Sequence, residues 1–245
     1  MKRIVIIGAS SGIGRRVAED FAKAGWEVAI AARREDKLKE IADNFPGQIV
    51  YKAIDVTAQD AVERFNDLIE ANGGMDVLLF ASGVGFSNPE LKPGLDEQIM
   101  AVNVRGFTRI INAAYLYFKR TANTSRGRIA AITSVAGTKG LGVASTYSAS
   151  KRYQQNYLQA IDQLAHMERV NVGISDIRPG FIRTDLLDPA KKYPLLMTID
   201  QVAPKIERTI LHGKRVATIN GTWALVVALW HLIPNCLWPR VPAKC

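Results

Sequence analysis

The sequence predicts an α/β protein built on a single doubly wound parallel sheet with helices on both faces. Three observations carry that prediction. Short segments rich in apolar and β-branched residues alternate with longer segments of helical periodicity. The short segments are nearly continuous in apolar residues, as parallel strands covered on both faces must be. A glycine-rich turn follows the first of them at once, where such a sheet makes its tight passage from strand to helix.

In chain order, RIVIIG (3–8), EVAIAA (27–32), QIVYKAI (48–54), MDVLLFA (75–81), RIAAITS (128–134) and NVGISDI (171–177) read as strands. Helices are expected between them at about 12–24, 35–43, 58–71, 95–119 and 146–166. No Pro/Gly/Ser-rich linker divides the 245 residues and no repeat is visible, so one domain over 1–245 is expected. After the sixth strand the pattern loosens. PGFIRTDLLDPAKKYPLLMTID (179–200) mixes turn residues with Leu186, Leu187, Tyr193, Leu195, Leu196 and Met197. A stretch of that length reads either as a binding lid, about 181–200, or as a surface segment folded back on the core.

Composition narrows the function classes. A hydrophobic content of 48% is ample for a core, and 22% charged residues is ordinary for a soluble protein. The basic start runs into glycine after four apolar residues, too short for a secretory signal. Cys236 and Cys245 fall at the extreme C-terminus and suggest neither a disulfide framework nor a metal site, so a cytoplasmic setting is expected. A net charge of +9 raises nucleic acid as a partner, but the basic residues are scattered and no nucleic-acid motif appears. No nucleic-acid partner and no metal are expected.

The turn IIGASSGIG places Gly8, Ser10, Ser11, Gly12, Ile13 and Gly14 between the first strand and the first helix. A helix N-terminus offers unpaired N–H groups and partial positive charge to a pyrophosphate, and glycines let the backbone approach it. The second strand ends AARRED. An acid at that point would accept hydrogen bonds from ribose hydroxyls, whereas Arg33 and Arg34 suit the extra phosphate of NADP. Glu35 and Asp36 are read as the first turn of the next helix, where negative charge is favourable. NADP(H) is therefore expected over NAD(H).

In STYSASK, Tyr147 and Lys151 stand four residues apart and share one helix face. An ammonium about 4 Å from the phenol would contribute about 4 kcal/mol at an effective dielectric of about 20, enough to lower the phenol's pKa by up to ~3. Such a phenol can exchange a proton with an alkoxide or alcohol near neutral pH.

With these pieces together, the sequence resembles the short-chain dehydrogenase/reductase family over essentially its whole length. The resemblance rests on GASSGIG, on DVT with Asp55 and Val56, on NVRG with Asn103, on ITS with Ser134, on YSASK, and on RPGFIRTD with Pro179, Gly180, Ile182 and Thr184. It implies a Rossmann-type fold and NAD(P)-linked hydride transfer at a carbonyl or secondary alcohol. It further implies a homodimer or homotetramer. Tyr147 is the implied general acid/base, Lys151 its modulator and a ribose ligand, and Ser134 the partner of the substrate oxygen. Asn103 is implied to support a relay water near Lys151, and Asp55 to contact adenine. One motif departs: Phe80-Ala81-Ser82-Gly83 replaces the family's NNAG, keeping the glycine beside Ser82 but losing both asparagines. That departure leaves open an idle NAD(P)-binding sensor of the same fold.

Phe181, Leu186 and Leu187 are the candidate substrate contacts, and they favour a hydrophobic carbonyl or alcohol as the small-molecule partner. The tail, about 221–240, carries Trp223, Trp230 and Trp238 in an apolar run too short to span a bilayer. It reads as a helix docked on the cleft or on a partner subunit, with peripheral contact at the inner membrane surface as the second reading.

Overall fold

The computed structural model describes residues 2–121, 126–188 and 190–242. Pro189 of the 181–200 segment and Cys245 lie outside the described residues. The strands are β1 (Arg3–Ile7), β2 (Glu27–Ala32), β3 (Ile49–Ala53), β4 (Val77–Phe80), β5 (Gly127–Ile132), β6 (Val172–Arg178) and β7 (Val216–Thr218). They form one sheet, all pairs parallel, in the order β3-β2-β1-β4-β5-β6-β7. The helices are α1 (Gly12–Lys23), α2 (Glu35–Asp43), α3 (Ala61–Ala71), α4 (Pro93–Ile99), α5 (Phe107–Thr121), α6 (Ser145–Glu168), α7 (Ile199–His212) and α8 (Gly221–Leu232).

Successive side chains of a strand point to opposite faces, so a continuous apolar strand feeds two cores. Ile4 and Ile6 of β1 join Val17 and Phe21 of α1, Leu38 and Ile41 of α2, Val202 and Ile206 of α7, and Trp223 of α8. Val5 and Ile7 join Phe65 and Leu68 of α3, Phe107 and Ile110 of α5, and Leu158 and Ile161 of α6. The chain leaves β1 and β4, which are neighbours, toward opposite faces. A crevice opens outside their carboxyl ends, where ligands bind in sheets of this kind.

The expected single helix over 95–119 is three pieces. Its middle, Met100–Gly106, is wound as a π-helix joining α4 to α5. The helix expected from residue 58 begins at Ala61, after an Asp60 whose backbone is non-helical. The loosened region after β6 holds α7, β7 and α8. Thr198 and Gln201 open α7 with a reciprocal cap: Thr198 Oγ1 accepts from Gln201 N at 3.4 Å and Gln201 Oε1 from Thr198 N at 3.0 Å. Pro204 sits inside that helix and disguises it in the sequence.

Phe80, at the departure from NNAG, is fully buried and meets Phe107 edge-on at 5.2 Å between centroids. Such a pair contributes about 0.5–1.5 kcal/mol beyond its buried area.

Candidate active site

The floor of the crevice is made of backbone. Gly8 and Gly12 have φ of +94° and +60°, which glycine adopts without strain. A Cβ on Gly8 would lie 2.5 Å from Ser82 N, and one on Gly14 would lie 2.2 Å from Gly8 O. The turn after β1 therefore packs directly on the segment after β4. Ser11 stands at the N-cap of α1 without capping it; its hydroxyl accepts from Arg34 Nη2 at 2.8 Å. Ser10 Oγ accepts from the same guanidinium at 2.9 Å. Arg34 thus folds over the glycine turn on neutral partners that leave its charge uncompensated. Arg33 beside it is exposed at the cavity rim, while Glu35 and Asp36 occupy the first turn of α2. Asp55 Oδ1 accepts from Thr57 N at 2.9 Å and from Thr57 Oγ1 at 2.7 Å, which fixes the turn after β3.

At the other end of the crevice, α6 presents Tyr147 and Lys151 from one face. Lys151 is buried, with Nζ donating to Ile132 O at 3.2 Å and to Gln154 Oε1 at 3.1 Å, and lying 5.8 Å from the Tyr147 ring centroid. Burial pushes its pKa down to about 8, against an opposing pull from Asp176. The Tyr147 ring lies on backbone: a Cβ on Gly85 would come within 2.8 Å of its Cε2. Ser134 Oγ accepts from Ala136 N at 3.1 Å and makes a long contact to Pro179 O at 3.5 Å.

Asn103 is fully buried on the π-helical turn and lies behind the cavity wall. Its Oδ1 accepts from Val84 N at 2.9 Å, and its Nδ2 donates to Val84 O at 2.8 Å and to Ser150 Oγ at 3.1 Å. One side chain so pins the backbone strip Gly83–Gly85 on which Tyr147 rests. Gln154 connects Asn103 to Lys151: its Nε2 donates to Asn103 O at 2.9 Å while its Oε1 takes the ammonium. Gln155, also buried, donates to Ser134 O at 2.7 Å.

A cavity of about 790 Å³ joins these ends. Every site residue predicted from the sequence lines it except Asn103. The side away from the glycine turn is aromatic. Phe181 stands 5.0 Å from Tyr193 and 5.8 Å from Trp223 between ring centroids, and Leu186, Leu187 and Trp230 complete that wall. A Cβ on Gly180 would collide with the Trp223 indole at 2.2 Å, so this glycine is what lets α8 close down. Gln154 and Gln155 were not foreseen from the sequence, and Trp223 and Trp230 of the tail line this cavity.

A family profile described as short chain dehydrogenase matches residues 2–194. The chain belongs to the short-chain dehydrogenase family. It is an oxidoreductase of the dehydrogenase/reductase type. An uncharacterized oxidoreductase of Listeria innocua is 30% identical over 193 residues, covering 76% of this chain and 77% of that protein. Another, from Myxococcus xanthus, is 28% identical over 243 residues, covering 96% and 93%. Among solved structures, a short chain dehydrogenase from Burkholderia cenocepacia in complex with NADP aligns with a TM-score of 0.83 at 17% identity, over 100% of both chains. A 3-ketoacyl-(acyl-carrier-protein) reductase from Brucella melitensis complexed with NADH gives 0.82 at 22% identity, over 91% of this chain and 98% of that one. These last two likenesses show the shared Rossmann-type fold. The family match ends before α7, β7 and α8.

Proposed function

We propose that this short-chain dehydrogenase is an NADP(H)-dependent reductase of a hydrophobic carbonyl compound, or a dehydrogenase of the corresponding secondary alcohol. The observation that carries the reading is the convergence of Tyr147, Lys151 and Ser134 on one cavity whose far end is the Arg34-covered glycine turn. The residues present suit a dinucleotide: glycines at 8 and 14 where a Cβ would collide and at 12 where φ is positive, a helix N-terminus not capped by its own serine, and an exposed arginine pair. Gly8, Gly12, Gly14, Ser10 and Ser11 would hold the pyrophosphate, and Arg33 and Arg34 the 2′-phosphate. Asp55 and Val56 would flank the adenine, Ser82 and Gly83 the ribose. Pro179, Gly180, Ile182 and Thr184 would hold the carboxamide side.

When bound, NADPH would supply the hydride to the carbonyl carbon. The rest falls to the chain. Ser134 Oγ–H donates to the substrate oxygen, and its long contact to Pro179 O yields readily to a better acceptor. Tyr147 delivers its phenolic proton to the same oxygen as negative charge gathers there. Lys151 stabilises the resulting phenolate: at the observed 5.8 Å to the ring the attraction is about 3 kcal/mol for an effective dielectric of about 20. Two of its N–H groups are on Ile132 O and Gln154, and the third would reach a ribose hydroxyl. Asn103 acts through Val84 and Gly85, holding the surface that orients the phenol. Phe181, Leu186 and Leu187 would contact the apolar part of the substrate, and the aromatic wall around them excludes water.

The expected one-domain chain, homodimer or homotetramer, and cytoplasmic setting belong to this same proposal. A panel of carbonyls and alcohols followed by NADPH absorbance tests it, with bulky apolar ketones expected to turn over faster than acetone-sized ones. Tyr147→Phe is expected to bind NADPH as wild type does while turnover falls about 10³-fold or more. Near-normal turnover by that variant would overturn the acid/base assignment. NADPH binding with no turnover on any substrate would favour the idle sensor.

A further inference from the structure

Helix α8 is apolar on two sides, and only one of them is packed. Trp223 and Val227 are buried in the core, and Trp230 lines the active-site cavity. On the opposite side Leu225, Leu229 and Leu232 recur at helical spacing and are 61%, 52% and 78% exposed. Ala224 and Ala228, also exposed, fill the stripe between them, so no charged side chain interrupts it. Leu195 and Leu196 are exposed as well, and the Trp223 Nε1 bond to Leu195 O at 3.4 Å ties their segment to α8. Lys191 and Lys192, both exposed, stand next to them in the chain.

A second cavity, about 1220 Å³, opens on the other side of α8, between residues 137–152 and the tail. Lys139, Arg152 and His231 line it, and among its described lining residues there is no Asp or Glu. Lys139 Nζ is held by Ile233 O at 3.0 Å and Asn235 Oδ1 at 2.7 Å, and lies 5.8 Å from the Trp238 ring. These partners fix the ammonium without neutralising it. Trp238 Nε1 donates to Gly140 O at 2.7 Å and so anchors the tail along the groove. From residue 208 to the C-terminus the sequence has Arg208, Lys214, Arg215, Arg240 and Lys244 and no acidic residue; of these Arg215 is paired with Asp162.

We propose that this face docks on an anionic phospholipid bilayer, with α8 lying in the plane of the interface and the Lys139–Arg152–His231 groove taking lipid phosphates. An apolar stripe flanked by cations is what such a surface attracts, through burial of leucine and through charge. A second copy of the chain is a poorer occupant, because a two-fold contact here would set cationic groove near cationic groove. At 12 residues α8 is too short to span, and among the described residues no helix is long and apolar enough to cross a membrane, so the attachment is peripheral. The inference concerns binding and does not depend on the reaction proposed above.

The test is co-sedimentation of the full-length chain with vesicles of phosphatidylcholine alone and of phosphatidylcholine mixed with phosphatidylglycerol. Binding to the mixed vesicles is expected, at least about tenfold tighter than to neutral ones and falling as salt rises. Leu225→Glu combined with Leu229→Glu should abolish it, with the melting temperature and the turnover of a water-soluble substrate unchanged. Lys139→Ala and Arg152→Ala should each weaken it roughly fivefold. Failure of the wild type to bind anionic vesicles overturns the proposal, as does equal binding to both kinds. So does wild-type affinity in the double leucine variant. A change in elution from oligomer to monomer in that variant, without vesicle binding by the wild type, would assign the stripe to a second copy instead.

Discussion

Replacing Lys151 by methionine should make the cofactor-free protein respond less to pH than the wild type does, and the size of the difference follows from the burial of the ammonium. Lys151 has an ordinary value of 10.5 and is pushed down to about 8 by desolvation. Between these values the unfolded chain binds a proton that the folded chain has released, so folding becomes more favourable as pH rises through the window. Below about 8 both states are protonated and the buried cation costs the fold about 3 kcal/mol. At pH 9.5 the same linkage leaves about 1 kcal/mol. The wild type should therefore gain about 2 kcal/mol between pH 7 and 9.5 from this group alone. Lysines and tyrosines remote from Lys151 titrate alike in both proteins and cancel in the comparison. So do the lost bonds to Ile132 O and Gln154, which lower the variant's stability by a fixed amount. Placing both proteins on a Tyr147→Phe background removes the neighbouring phenol. The assay is urea unfolding of both proteins at the two pH values, read as the difference of differences. Parallel pH dependences would refute the claim that burial depresses this lysine.

Arg34→Ala removes a charge-assisted partner for phosphate and should weaken NADPH binding roughly 10–100-fold while leaving NADH unchanged, as measured by fluorescence titration. Gly8→Ala forces a Cβ to within 2.5 Å of Ser82 N at a φ of +94°, so the denaturation midpoint should fall by an amount equivalent to more than about 1 kcal/mol. Glu207 is pushed up to about 7, chiefly by desolvation and then by Asp20, and its Oε1 is buried without a hydrogen-bond partner. A raised carboxyl favours the fold below about 4.5 and loses that contribution as pH climbs to about 7. Glu207→Gln should consequently stabilise at pH 8, on the order of 1 kcal/mol after allowance for its partial exposure, and change little at pH 4.5; thermal melts at both values check it.

The strands foreseen at β1, β2 and β4 were legible because they are buried on both faces and nearly continuous in apolar residues, while the edge strand β3, with Tyr51 and Lys52, was legible from its place in the strand–helix alternation. The glycine turn was legible because steric demand leaves glycine no substitute at positions 8 and 14. Tyr147 and Lys151 could be paired from spacing alone, since a helix fixes which residues share a face. Gln154 and Gln155 could not. In a sequence a glutamine reads as a solvated helix position, and only the packing of α6 on the Met100–Gly106 segment and on residues 134–137 shows both amides turned inward. Helix α7 was hidden by Pro204, although its Thr198 and Gln201 cap was present in the sequence. The three residues of β7 offer too little periodicity to register, and that strand exists because β6 supplies an edge for it. Apolar residues near 181–200 and 221–240 suggested a cleft cover. That Trp223 would seat on Gly180 and Trp230 would face the same cavity needed tertiary structure.

The π-helical turn over Met100–Gly106 is, in chain length, one residue more than a regular helix would spend on the same rise. Deleting any one residue there would let the α-helix run through without interruption. A regular winding turns about as far in one residue fewer as the π-helical winding does over these seven, so α4 and α5 would keep their phase and Phe107, Ile110 and Ile111 their core. The residues inside the segment would instead be rewound onto other positions, Asn103 on Val84 among them. The extra residue is consequently what turns the Asn103 amide onto the Gly83–Gly85 strip without disturbing the helices on either side.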